Sequence, residues 1–367
     1  MTNVPTRLVV LISDLPGSGL DERARALFAR LPARFDATLV CHRGNRIERV
    51  RYFFDALCAA RPDIIYIIDP IYAAVAATRL YRATQHARVV VDTGDLVYEL
   101  AKETGRIGGL SLAVVKWAEQ TALRLADAMV VRSPVHRDLF IARGNSSVAL
   151  IPDGVDLTQF YPMDARAWRK QIGVSDEEIL VGGVGTMPWN PRRHFCFGWD
   201  VVEALPRLRD LPVRGLLIGD GDGRAKLETR AHELGIADRV IFTGRIAYAD
   251  LPRAINALDI CLLTQMNSLI SWVRTTGKLP LYLACDRYVI ATAVGAAAEL
   301  LEPLDMLLPY EGLGRDPNHP ARLAAKIRDL VEHRDRLYLN GRGVEIARQN
   351  FDYDRLAVTL ADLLEHL

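Results

Sequence analysis

Eleven short apolar runs constrain what this chain can fold into. They are LVVLI (8–12), IIYII (64–68), VVV (89–91), MVV (129–131), VALI (148–151), ILVGGVG (179–185), GLLIG (215–219), VIF (240–242), ICLL (260–263), YVIA (288–291) and MLL (306–308). Each has the length of a strand, and most are continuous rather than alternating. Such runs suit strands buried on both faces. Helix-period segments lie between many of them, at 21–35, 49–60, 111–126, 199–208, 224–234, 251–258 and 320–333. Strand–helix alternation builds βαβ units and parallel sheets, so the expected class is α/β. Eleven strands are many for one sheet. With 367 residues, and at ~150 residues per domain, two doubly wound domains are expected. The segment IPDGVDLTQFYP (151–162) follows a strand and is rich in turn residues, which puts the division there, with domains at 1–157 and 158–351. Residues 355–367 read as an amphipathic helix.

Lys plus Arg is 46 and Asp plus Glu is 45, a net charge of +1. A nucleic-acid binder usually carries a basic excess, so that class is not expected. Cysteines stand at 41, 58, 196, 261 and 285, with no CxxC pair. A disulfide framework or zinc knuckle does not fit, and a cytoplasmic setting does. The apolar run at 8–12 is short for a signal peptide, and no run approaches a membrane span. Asn145-Ser146-Ser147 matches a glycosylation sequon and reads as chance in that setting. No HExxH, metal-ligand cluster or Ser-His-Asp spacing occurs, so neither metal nor cofactor is expected.

Open parallel sheets hold ligands beyond the carboxyl ends of their strands. After the first strand comes Ser13-Asp14-Leu15-Pro16-Gly17-Ser18-Gly19, then a helix capped by Asp21. The GxGxxG spacing is absent, which excludes the NAD fingerprint. Gly17 and Gly19 suit either a phosphate approach or an ordinary βα turn. Farther on, Thr276 is a good N-cap before Gly277, Lys278 and Leu279. The amides of these three residues, with Thr275 beside them and the Lys278 charge, form a candidate diphosphate cradle. A capped helix with a solvated lysine is the plainer alternative. Trp272 stands where a Walker glycine is required, and Leu279 where its Ser or Thr is, so this is no P-loop. Gly185 and Thr186 lead to Arg192 and Arg193, a second phosphate contact. Gly219 opens the turn GDGDG, which lacks the ligands of a calcium loop and reads as a flexible turn near a ligand. Gly244, Arg245 and Ile246 follow another strand, where backbone meets a flat base. Asp92 and Asp95 follow VVV and suit holding acceptor hydroxyls or acting as a base. An Asx turn with a helix cap is the alternative there.

The glycine-rich first turn, IPDGVDLTQFYP, the GTM…RR loop, GDGDGRAKLE, VIFTGRIAYADLPRAINALDICLLT and GKLPLYLACDRYVIAT together resemble GT-B-fold retaining glycosyltransferases of family 4, the glycosyl transferases group 1. The resemblance implies two Rossmann-like domains facing a central cleft. The second would bind a nucleoside diphosphate sugar, the first the acceptor, and helix 352–367 would pack back on the first. Lys278 matches the family's lysine facing the diphosphate, and Arg192 or Arg193 its basic diphosphate residue. Gly244 to Ile246 would meet the base, and Gly17 and Gly19 the donor phosphates. The implied reaction moves the sugar to an acceptor hydroxyl with retention and without a metal. Leu281 and Val273 stand where the family carries paired glutamates, and Asp286 where it carries a glycine. An inactive GT-B scaffold acting as a binding or regulatory partner is therefore the alternative. Basic residues Arg23, Arg25, Arg30 and Arg34, and the helix 111–126 with Lys116, Trp117 and Arg124, offer peripheral membrane contact. Core packing with a solvated basic edge is the preferred reading of both.

Overall fold

Two sets of continuous apolar runs make two parallel sheets. The computed structural model describes residues 4–41, 45–145 and 147–367, so Ser146 of the sequon lies outside the described residues. The chain clusters into one unit of Met1–Gly154, Val273–Thr275 and Asp352–Leu367, and another of Val155–Trp272 and Thr276–Phe351.

The first unit holds β1 (Thr6–Ile12), β2 (Phe35–Cys41), β3 (Ile64–Ile68), β4 (Arg88–Thr93), β5 (Ala128–Val131) and β6 (Val148–Leu150), in the order β2-β1-β3-β4-β5-β6. All neighbours pair in parallel. Successive side chains point to opposite faces, and both faces are covered. Val9, Leu11, Ile65, Ile67, Val89 and Val91 feed one core, with Phe53, Leu57 and Tyr81 from flanking helices. Leu8, Val10, Ile12, Tyr66, Val90 and Val130 feed the other. That second core is closed by Leu27 and Phe28 from the helix Gly19–Phe28 and by Leu356, Leu360 and Leu364 from the helix Tyr353–Glu365. The 356, 360, 364 spacing puts the three leucines on one stripe. In the segment after the first of these helices, Arg30 pairs with Asp354 (2.5 Å) and Arg34 with Glu365 of the second.

The expected helix at 21–35 ends at Phe28, and Phe35–Cys41 is a twelfth strand. β2 is an edge strand that exposes Asp36 and Thr38, so no continuous apolar run announced it. The helix cap is Ser18, whose Oγ accepts from the Asp21 amide, rather than Asp21 itself.

The second unit holds β7 (Ile179–Val184), β8 (Val213–Ile218), β9 (Val240–Gly244), β10 (Ile260–Leu263), β11 (Tyr288–Thr292) and β12 (Leu307–Leu308), in the order β12-β11-β10-β7-β8-β9. The chain runs outward through β8 and β9, then returns to lay β10 beside β7. That reversal is a topological switch point, where doubly wound sheets bind ligands. Asp286 follows the helix Lys278–Ala284 with φ of 53°, the left-handed turn that glycine adopts most cheaply. Its carboxylate accepts from the amides of Gly341 (2.8 Å) and Gly343 (3.0 Å), holding the amino end of the helix Arg342–Asn350 and offsetting that strain.

Candidate functional site

In the second unit the strand-end glycines sit side by side. The Gly185 amide donates to Ile218 O (2.9 Å), and the Gly219 amide to Gly244 O (3.0 Å). A Cβ on Gly219 would lie 2.0 Å from Gly185 O, so a side chain there would separate the strand ends. Lys278 closes over this row. A Cβ on Gly185 would lie 2.5 Å from its Nζ, and that Nζ stands 3.5 Å from the Phe197 ring centroid. Thr186 is exposed. Asn190 Oδ1 accepts the amides of Arg192 (3.0 Å) and Arg193 (3.1 Å), tightening the turn that carries them. Arg193 Nη1 donates to Leu313 O (3.1 Å) and touches Met266 Sδ (2.7 Å) in the loop after β10. Gly185, Lys278 and Arg193 therefore flank the switch point between β7 and β10. Arg245 is exposed, and Ile246 packs on the core.

Two expectations about the cradle change. Gly277, not Thr276, is the N-cap of Lys278–Ala284. The Leu279 amide donates to Thr276 O (3.2 Å), so it is turned into the helix. The Thr276 hydroxyl is buried with no partner among the described residues. The GDGDG turn is a packed brace rather than a flexible loop. Met187 donates to Asp220 O (3.0 Å) and accepts from Gly223 (2.9 Å), and Asp222 Oδ1 accepts the Trp189 amide (2.8 Å). Leu281 packs in the core of this unit, and Val273 is fully buried in the other. Among the described residues no three His, Cys, Asp or Glu side chains converge as metal ligands.

In the first unit β4 continues through Thr93, which places Asp92 inside the sheet rather than in the loop beyond it. Asp92 is fully buried and accepts from Arg23 Nη2 (3.0 Å), Arg132 Nε (3.3 Å) and the Tyr66 hydroxyl (3.0 Å). Burial alone would raise its pKa, but Arg23 and Arg132 hold the carboxyl below its usual range. Asp92 is thus the centre of a buried ion network. Arg132 also pairs with Asp69 (3.4 Å) and Asp153 (3.5 Å). Asp95 receives two 2.7 Å hydrogen bonds from Arg274. Burial opposes the ionised form, yet Arg274 keeps that carboxyl below its usual range. This makes Asp95 a poor base and a good anchor. The Thr275 hydroxyl donates to Arg132 O (2.6 Å), so Thr275 is a structural tie. Gly17 has φ of 76°, and its amide donates to Asp21 Oδ2 (2.8 Å); Gly17 and Gly19 are both exposed.

Sequence reasoning missed Asp69, Arg132, His136 and Arg274. Asp69 and Arg132 directly follow the runs IIYII and MVV, a signal that was available. Burial, with Asp95 and Asp92 nearby, pushes Asp69 up to about 6 against the pull of Arg132. His136 is fully buried, neither ring nitrogen has a partner among the described residues, and burial pushes it down to about 4.

Residues 180–333 match the family Glycosyl transferases group 1, and residues 7–154 match the Glycosyl transferase 4-like domain. The chain belongs to the group 1 glycosyl transferases. Similar curated proteins include a D-inositol 3-phosphate glycosyltransferase of Segniliparus rotundus, 26% identical over 63% of this chain and 50% of its own length. Another is the 2-deoxystreptamine glucosyltransferase of Streptomyces kanamyceticus, 26% identical over 43% of this chain and 41% of its own length. The match thus spans half or less of these relatives. Among solved structures, sucrose-phosphate synthase of Thermosynechococcus elongatus superposes with a TM-score of 0.74 at 19% identity, covering 98% of each chain. Anabaena HepE in complex with UDP and glucose superposes with a TM-score of 0.76 at 18% identity, covering 99% of this chain and 100% of that one. The fold of this group 1 glycosyl transferase is GT-B.

Proposed function

We propose that this group 1 glycosyl transferase moves a sugar from a nucleoside diphosphate sugar to an acceptor hydroxyl, with retention and without a metal. The observation that carries this reading is the row Gly185, Gly219 and Gly244 at the switch point, with the Lys278 ammonium held against Gly185. Backbone without side chains lets a diphosphate approach closely, and a fixed cation offsets the charge that grows as the leaving diphosphate departs. Arg193, and Arg192 on the same turn, would add a bidentate phosphate contact. Arg245 and Ile246 border the place for the base. The HepE complex with UDP-glucose supports a uridine donor as the first candidate. Leu281 and Val273 leave the ribose and the transferred sugar without the family's carboxylates, so their hydroxyls would be bound by backbone or by the loop after β10.

A peripheral membrane contact fits the helix Gly109–Leu125 better than the first helix. Leu110 (89% exposed), Val114 (44%) and Trp117 (38%) share one face of it, beside Lys116. On the first helix Arg23 is buried in the ion network and Arg25 pairs with a carboxylate, as do Arg30 and Arg34 just beyond it. No helix among the described residues is long and apolar enough to cross a membrane.

Calorimetry with a panel of nucleotide sugars tests the donor reading, with Lys278→Ala as the control. One donor binding to the wild type and at least tenfold more weakly to Lys278→Ala supports it. NMR of the product's anomeric proton then reads retention. If no nucleotide sugar binds to the folded wild type, the inactive-scaffold alternative replaces this reading.

A further inference from the structure

The amino ends of the second unit's strands carry a separate polar cavity of about 490 Å³. It is lined by Arg209, Arg214 and Arg239, with Glu178, Asp238 and Gly235 among the other residues. Glu178 immediately precedes β7, and Arg239 immediately precedes β9. Gly185, Gly219 and Gly244 lie at the opposite ends of the same strands. At ~3.3 Å per residue, a six-residue strand separates the two places by about 20 Å. The cavity is therefore not part of the candidate donor site.

Its charge is built rather than incidental. Three guanidinium groups face two carboxylates, an excess of one positive charge. The hydrogen bonds that hold the three arginines run to neutral carbonyls, which fix the side chains and leave the excess charge in place. Arg209 Nη2 donates to Leu234 O (2.5 Å), and Arg214 Nη1 to Gly173 O (2.8 Å). Arg239 donates to Leu208 O (3.1 Å), Leu211 O (2.5 Å) and Val213 O (2.9 Å). Glu178 lies 3.8 Å from Arg214, a loose ion pair already counted in that excess of one positive charge. Arg214 Nη2 also reaches Asp238 O (3.5 Å), and its buried Nε has no hydrogen-bond partner among the described residues, so this guanidinium is only partly satisfied. Pre-oriented planar guanidinium groups match phosphate oxygens bidentately.

We infer that this cavity binds a small phosphate-bearing anion, at a second site remote from the strand-end glycines. Inorganic pyrophosphate is the probe, because it carries the shared chemistry of phosphorylated metabolites without a sugar or base. Hydrogen exchange read by mass spectrometry localises its effect. Pyrophosphate is expected to protect segments 173–178, 209–214 and 235–239, whatever it does at 185–198. Arg209 is exposed, so Arg209→Glu is expected to fold and to abolish that protection; Arg209→Gln gives the same contrast should the reversal fail to fold. Loss of one charge-assisted contact is expected to raise the protecting concentration about tenfold in Arg209→Gln. Absence of protection in these segments would overturn the inference, as would protection that persists in Arg209→Glu. Equal protection by chloride at the same ionic strength would also overturn it, since that is screening and not a site.

Discussion

Replacing Asp92 by Asn decides whether that residue serves the fold or an acceptor. The substitution keeps the shape and removes the charge. Asp92 is fully buried between Arg23 and Arg132, whose side chains are 2% and 8% exposed. An amide there would leave two buried guanidinium groups short of their shared anion and turn a donor toward one of them. Breaking a buried pair in this way costs about 3–5 kcal/mol, against a total stability of about 5–15 kcal/mol. For a domain of 150–250 residues each kcal/mol shifts Tm by about 2–4 °C, so a fall of roughly 10 °C is expected. Urea denaturation followed by circular dichroism should show a lower midpoint with an unchanged slope. The pH dependence gives a second arm. The arginines lower the folded-state pKa of Asp92, so its contribution is present above the unfolded carboxylate value of about 4 and is lost as pH falls through the folded value. The deficit of Asp92→Asn should hold from pH 8 to 5 and shrink in acid. A Tm within 2 °C of wild type would refute the reasoning, and lost turnover at unchanged stability would return Asp92 to acceptor chemistry.

Gly185→Ala should leave stability nearly unchanged, because the atoms its Cβ meets most closely are the far end of the Lys278 side chain, which a rotamer change moves aside. Donor binding by calorimetry should nevertheless fall toward that of Lys278→Ala as the ammonium is displaced. Asp286→Ala keeps the left-handed strain and loses both hydrogen bonds to Gly341 and Gly343, so a loss of about 2–4 kcal/mol in urea denaturation is expected. Burial pushes His136 down to about 4, so its neutral form favours folding above about 6.5 and that advantage is lost as pH falls. Asp69, pushed up to about 6, acts in the opposite sense, its contribution being greatest in acid and lost as pH rises through 6. Each effect is on the order of 3 kcal/mol at most. Wild-type stability should therefore vary little between pH 6.5 and 4, whereas Asp69→Asn should lose stability across that window.

Most of the architecture was legible because strands buried on both faces cannot hide their apolar runs. β2 escaped because an edge strand with Asp36 and Thr38 outward has no such run. The row Gly185, Gly219 and Gly244 was legible as strand-end glycines, though not that they touch, since adjacency depends on sheet order and not on sequence distance. The unit-one network was misread for two reasons. β4 continues two residues past VVV and carries Asp92 inward. Arg23 lies on a helix whose other arginine, Arg25, is exposed and pairs with Asp21, so a buried cation there has no local signature. Thr276 looked like the cap because capping propensity is local, while Gly277 takes that place in the folded turn.

The helix Tyr353–Glu365 gives the first unit an unusual assembly history. Its sheet begins at Thr6, yet the leucines that cover Leu8 and Val10 lie beyond Asp352. At ~5–20 residues per second, roughly 200 intervening residues keep that apolar face waiting for about 10–40 s on the ribosome. The second unit can complete its own core in that interval, so the half made first is the half finished last. A message cut short after Phe351 would release a sheet with one hydrophobic side covered only by its first helix, a substrate for chaperones rather than for sugars.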